Sequence, residues 1–354
     1  MLLRGVALYL LKRAAVLLLT VVVAVYVTIL VANMGGYVDE IVKGELLFSI
    51  STSVYQNPAY RTLNETALRN LVNQLYELEL KRRGFDQPFF IRGFNYLRDA
   101  LTLDLGRSLF ISSDSGSRSV RIIILERLPN TVLLFTTTQL LLFFIGLFGG
   151  LYLSRRFGSR IERSFSLLAP LSALPGWFYG LFLILIFASV LRLLPYGGMV
   201  DIPPPTDRFA YALSVLKHMI LPVMSWLLAY SFFAIYTRRT FFLIFSSEDF
   251  VEVAKAKGLP EDLVRRRYIL RPTLPPIVTD FSLTLIASWL GAIVTETIFN
   301  WPGIGRLFYE AAALFDTPVI VGLVVIYSYL LAVTVFVLEI VYAILDPRIR
   351  TGVV

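Results

Sequence analysis

The residues whose types and spacing promise the most chemistry lie between Ser247 and Pro276, SEDFVEVAKAKGLPEDLVRRRYILRPTLPP. Glu252-Val253-Ala254-Lys255-Ala256-Lys257-Gly258 reads as a short helix of good formers, ended by a glycine that accepts a left-handed cap. Leu259-Pro260-Glu261-Asp262 then reads as a restart, because proline suits a first helical turn and acids suit its dipole. Nothing here is a nucleophile beside a base. Glu252, Lys255 and Lys257 can make charge-assisted contacts with another protein, and the alanines keep the helix slim. A helix–glycine–helix elbow of this kind is a handle for a partner to grip. A plain charged connector is the competing reading, and the pattern alone leaves both open.

Elsewhere the chemistry is sparse. The chain has no cysteine and one histidine, His218, so thiol catalysis, disulfides and a histidine zinc site are not expected. There is no G-x-x-x-x-G-K-[ST], no HExxH and no G-x-S-x-G. An enzyme is therefore not expected, nor a metal or cofactor held by this chain. Glu296 is an acid inside an apolar stretch, where carboxylates face a bundle interior or a water-filled path. The alternative reading pairs it with Arg306. Glu339 is expected to be neutralised by Arg348 or Arg350, and His218, beside Lys217, is expected at an outer membrane boundary.

These residues must be positioned by membrane helices. Of 354 residues, 56% are hydrophobic and 16% charged, with a mean hydropathy of +0.71. That profile belongs to a polytopic membrane protein. The net charge of +8 sits in loops beside apolar runs, which fits membrane topology better than nucleic-acid binding. Spans are expected at Ala14–Val38, Leu128–Leu153, Phe165–Leu194, Met219–Tyr236, Ile277–Ile298 and Val319–Leu345, the third interrupted by Pro175-Gly176. Arginine and lysine crowd the N-terminus, the second loop, the elbow and the C-terminus, so both termini are expected in the cytoplasm. Gly146 and Gly150 have the spacing of close helix approach, expected to serve packing inside one subunit. Asp39–Arg127 is polar and long enough for an outer domain, with an amphipathic helix over Asn64–Arg83 capped by Asn64.

The elbow resembles the EAA…G loop of permease subunits of binding-protein-dependent ABC importers. Arg267-Tyr268-Ile269-Leu270-Arg271, running to Pro275-Pro276, resembles its continuation in the dipeptide/oligopeptide/nickel branch. Val253 stands where alanine is usual and Pro272 where asparagine is usual. Gly84-Phe85-Asp86-Gln87-Pro88, Asp104-Leu105-Gly106-Arg107-Ser108 and Glu126-Arg127-Leu128-Pro129-Asn130-Thr131 resemble landmarks of the first permease subunit of that branch. Glu296-Thr297-Ile298-Phe299-Asn300-Trp301-Pro302-Gly303-Ile304-Gly305-Arg306-Leu307 resembles the branch signature ETVFxWPGLGRL, and Tyr342–Arg350 resembles its C-terminal signature.

The resemblance implies an all-α polytopic membrane protein with the type I ABC importer permease fold and six transmembrane helices. It implies a first helix over 1–38, an extracytoplasmic insertion over 39–127 between helices 1 and 2, and a five-helix core over 128–350 with a cytoplasmic coupling loop over 238–276. Glu252, Val253, Ala254, Lys255, Ala256, Lys257 and Gly258 would couple to ATPases, and Glu296 and Asn300 become candidates for the translocation path. The implied partners are a second homologous permease forming a heterodimer, two ABC ATPase subunits that use ATP and Mg, an extracytoplasmic substrate-binding protein and the lipid bilayer, with no nucleic acid. The substrates of the branch are peptides, oligosaccharides or nickel. A secondary transporter and a membrane scaffold or receptor are the alternatives; the first needs inverted repeats and coupling charges near mid-membrane, and the second has no use for the elbow.

Overall fold

The computed structural model describes residues 2–33, 36–60, 63–289 and 292–345, and among these the regular structure is helical, with one isolated bridge between Arg107 and Ser119. In chain order the helices are α1 (Leu2–Asn33), α2 (Tyr37–Gln56), α3 (Glu65–Arg82), α4 (Phe89–Leu101), α5 (Val120–Ser154), α6 (Arg160–Leu168), α7 (Gly176–Leu183), α8 (Arg208–Ser246), α9 (Asp249–Ala256), α10 (Glu261–Leu263), α11 (Arg271–Ser288), α12 (Ile293–Ile298), α13 (Ile304–Ala313) and α14 (Thr317–Leu345). Among the described residues, α1, α5, α8 and α14 are each long and apolar enough to cross a membrane. The chain forms two compact units, one of Met1–Leu10, Ile124–Ala313 and Val333–Val354, the other of Leu11–Ile123 and Leu314–Ala332.

In the second unit, Val21, Val25 and Ile29 recur every four residues on α1 and pack with Leu97 and Ala100 of α4 and Val325 of α14. The Tyr329 hydroxyl donates to the Leu101 carbonyl at 2.8 Å. Asp316, fully buried, accepts at Oδ2 from the Ser108 hydroxyl at 2.6 Å and from the Leu109 and Phe110 amides at 3.1 and 3.0 Å, fastening that loop. Helix α3 starts as its sequence asks: the Asn64 side chain accepts from the Ala67 amide at 2.8 Å. Val72 of its apolar stripe is buried, whereas Leu75 and Leu78 face outward.

In the first unit, α5 and α8 lie backbone to backbone. A Cβ added at Gly150 would stand 2.7 Å from Arg238 Cβ and 2.8 Å from the Arg239 nitrogen, and one at Gly146 would stand 3.2 Å from Ala234 Cβ. At Gly150 only glycine permits that approach, and Gly146 packs closely beside it, so the paired glycines serve packing within the subunit.

Three of the expected spans are built otherwise than as one helix of the expected bounds. Phe165–Leu194 is interrupted where expected, at Pro175-Gly176: Pro175 holds Leu174 extended (ψ 133°), and the chain turns by 92° between the stretches Arg160–Ala173 and Gly176–Val190. The fourth helix runs well past Met219–Tyr236, because Asp207 caps it early by accepting from the Ala210 amide at 2.8 Å. His218, on this helix, is buried and donates from Nδ1 to the Ser214 carbonyl at 2.8 Å. Ile277–Ile298 divides into α11 and α12, where Ala292 is extended (φ −96°, ψ 96°) and the Trp289 indole donates to Thr136 of α5 at 3.1 Å. At the chain's end, Glu339 accepts from the Tyr9 hydroxyl. Arg348 and Arg350, and the signature from Asp346 to Arg350, lie outside the described residues.

Candidate functional site

The elbow is built from its own sequence. Helix α9 begins at Asp249, earlier than the expected Glu252, and places Asp249 and Glu252 in its first turn and Lys255 in its last, each complementing the dipole. Its end is a Schellman cap: the Leu259 amide donates to the Ala254 carbonyl at 3.3 Å and the Gly258 amide to the Lys255 carbonyl at 2.9 Å. Gly258 takes φ 70°, the left-handed region that strains any residue with a Cβ. Pro260 precedes α10, and a π-helical stretch from Val264 to Leu270 carries the chain into α11.

One face of α9 is buried and the other is not. Val251, Ala254 and Val264 form a small core with Leu259, Tyr268 and Ile269 packed on it. Glu252, Val253, Lys255, Ala256, Lys257 and Gly258 are exposed, with Phe250 beside them. Ala254 is thus an anchor, and the other six predicted residues form a surface of two cations, one acid and an apolar patch.

The second cluster surrounds Glu296, whose side chain is 0% exposed. Its Oε1 accepts from the Thr131 hydroxyl at 2.8 Å and its Oε2 from the Arg306 amide at 2.9 Å. Thr131 in turn accepts from the Ile304 amide at 2.7 Å. The expected pairing with Arg306 is corrected: the backbone of Arg306 makes the bond, while its guanidinium donates to Glu310 at 2.7 Å and to the Asn300 carbonyl at 3.1 Å. Asn300 is exposed and takes φ 51°, a conformation asparagine tolerates. The Trp301 indole, fully buried, donates to the Asn130 backbone carbonyl at 3.0 Å, and the Asn130 side-chain Nδ2 donates to the Pro302 carbonyl at 2.8 Å. The two sequence blocks around Asn130 and Glu296 therefore form one structure. A Cβ at Gly303 would lie 2.4 Å from both Glu296 Oε2 and Thr131 Oγ1, which accounts for a glycine there.

Thr131, Gly303 and the acids Glu162 and Asp280 were not singled out as site residues from sequence. Arg239 binds Glu162 of α6 at 2.6 Å, and Arg238 binds Asp280 of α11 at 2.8 Å. Adjacent arginines followed by apolar residues are the signal, since buried guanidiniums require acids.

Residues 143–351 match the family described as binding-protein-dependent transport system inner membrane component, more than half of the chain. The oligopeptide transport system permease protein AppB of Bacillus subtilis (strain 168) is 31% identical over 274 residues, covering 77% of this chain and 84% of that protein. The probable D,D-dipeptide transport system permease protein DdpB of Escherichia coli (strain K12) is 29% identical, over 87% of this chain and 92% of that protein. The di/tripeptide transport system permease protein DppB of Pseudomonas aeruginosa (strain UCBPP-PA14) is 29% identical, over 80% and 87%. With its membrane-length helices, its elbow and this match, the chain belongs to the binding-protein-dependent transport system inner membrane components, as a multi-pass membrane protein.

Proposed function

We propose that this chain is the transmembrane permease subunit of an ATP-driven, binding-protein-dependent importer of peptides. It would form half of the translocation path beside a second homologous permease, and two ATPase subunits would grip its 247–276 loop. Six crossings are proposed: α1, α5, the α7 arm of the bent pair, α8, α11 with α12, and α14. Both termini are then cytoplasmic, and Asp39–Arg127 lies outside, where a binding protein delivers the substrate. Relatives named as oligopeptide, dipeptide and tripeptide permeases support the peptide class.

The observation that carries the reading is the elbow: a short helix anchored on Val251 and Ala254, capped at Gly258, with an exposed charged and apolar face. The test is the complete importer in proteoliposomes. Gly258→Val should leave insertion intact, because nothing lies within 4 Å of the position. It should abolish peptide uptake and the stimulation of ATP hydrolysis by loaded binding protein. Normal uptake with normal stimulation would show a mere connector. Affinities of the binding protein for a panel of peptides and sugars test the substrate class.

A further inference from the structure

Arg238 and Arg239 sit side by side on α8, about two turns before it ends at the elbow. Three other helices meet on them. Gly146 and Gly150 of α5 lie against the Arg238 stem, and Gly150 also against the Arg239 backbone nitrogen. Glu162 of α6 and Arg239 form an ion pair in which both side chains are only 11% exposed. Asp280, about two and a half turns into α11, binds Arg238 and is 50% exposed. The Arg239 guanidinium also lies over the rings of Phe157 and Tyr236, at 5.3 and 5.5 Å. The Nε atoms of both arginines are buried with no hydrogen-bond partner, so these side chains are held in incompletely saturated positions.

The place of this node matters. Helices α8 and α11 are the two legs of the elbow, and α9 is anchored on residues of the elbow itself. A push on α9 could be absorbed by the turn at Gly258 or by the π-helical stretch Val264–Leu270. A tie between the legs, at matching heights above the elbow, would prevent that. Each guanidinium reaches its acid through Nη2, and these charge-assisted contacts hold the helices at a set distance.

We propose that Arg238 and Arg239 are positioning residues for coupling: through Asp280 and Glu162 they make α5, α6, α8 and α11 move as one body when the elbow is displaced. The inference rests on the reading of the elbow as the ATPase contact. Loss of the tie should leave the ATPases bound and hydrolysing while the spans lag.

The experiment uses the complete importer in proteoliposomes, measuring peptide taken up per ATP hydrolysed alongside the apparent melting temperature. Asp280→Asn keeps the volume and removes the charge; uptake per ATP should fall about tenfold, the size of a typical coupling between sites, with little change in melting. The exchange Arg238→Asp with Asp280→Arg should restore the ratio. Glu162→Gln should act like Asp280→Asn, and if that complex fails to assemble the Asp280 arm decides alone. A wild-type ratio in Asp280→Asn, or a fall that follows the melting temperature and resists the exchange, overturns the proposal. Gly258→Val run in parallel separates the two readings. If it uncouples while Asp280→Asn does not, only the tie fails; if it too leaves coupling untouched, the elbow reading and the tie fall together.

Discussion

Glu296 joins two distant parts of the chain with two oxygen atoms. Removing the carboxylate leaves the Thr131 hydroxyl and the Arg306 amide without their acceptor, and a buried group left unpaired costs about 1–3 kcal/mol. Glu296→Ala should therefore lower the apparent melting temperature of the detergent-solubilised protein markedly, and Glu296→Gln, which retains one acceptor oxygen, should lower it less. Gly303→Ala should rival the alanine variant, since its Cβ would intrude to 2.4 Å of the carboxylate. An unchanged melting temperature in Glu296→Ala would refute the structural role. The same series tests the path assignment, because a carboxylate spent on protein donors should affect uptake only through the amount of folded complex. A second residue-scale prediction concerns Asp201, in the loop before α8. The Ser214 hydroxyl donates to it at 2.6 Å and holds its carboxyl below the usual 3.8. Its folded value is depressed, so its contribution is present above about pH 4 and lost as pH falls through the folded value. Ser214→Ala should flatten that acid-side loss in melting temperature; an unaltered pH profile would count against it.

At the scale of elements, the elbow was legible because its signals are local. Formers, a glycine at the cap and a proline at the restart all lie within one short stretch, and the structure supplies the Schellman bonds they ask for. Gly258→Ala should loosen this cap by about 1 kcal/mol, a backbone effect alone given the open space around it. Limited proteolysis of the solubilised subunit should cut between α9 and α10 faster than in the wild type; equal rates would mean that the left-handed turn is not what holds the elbow. Asn64 was legible for the same reason. The breaks in the third and fifth spans were harder. Leu174-Pro175 is a visible interruption, yet only the structure shows that it turns the chain rather than kinking it. The division between α11 and α12 has no local signal of comparable strength. The Thr131–Glu296 bond closes over 165 residues and the Trp289–Thr136 bond over 153, and no periodicity encodes such partners.

At the scale of the molecule, the number of crossings decides the topology, and a chain with no cysteine allows each one to be tested separately. Charge fixes the expected direction, with arginine and lysine concentrated on the side proposed to be cytoplasmic. Three exposed positions suffice: Thr66 on α3, Ala256 at the end of α9 and Ala312 on α13. Between Thr66 and Ala256 lie α5, the bent pair α6 and α7, and α8. If the bent pair crosses, those two positions face opposite sides; if it turns back, they face the same side. Between Ala256 and Ala312 lie α11 and α12, the division that composition alone does not certify as a span. If together they cross, Ala312 faces the side of Thr66. Single variants Thr66→Cys, Ala256→Cys and Ala312→Cys, expressed with the partner permease and without ATPases, should be exposed to an impermeant maleimide in intact cells. Thr66→Cys keeps the Asn64 cap intact, so the label reports position and not unfolding. Labelling of Thr66→Cys and Ala312→Cys in intact cells, with Ala256→Cys reacting only after the membrane is opened, is the pattern for six crossings. Ala256→Cys labelled from outside together with Thr66→Cys would make the bent pair a re-entrant loop. Ala312→Cys protected together with Ala256→Cys would make α11 and α12 one instead. Either result would remove a crossing and, with it, the placement of both termini on one side of the membrane.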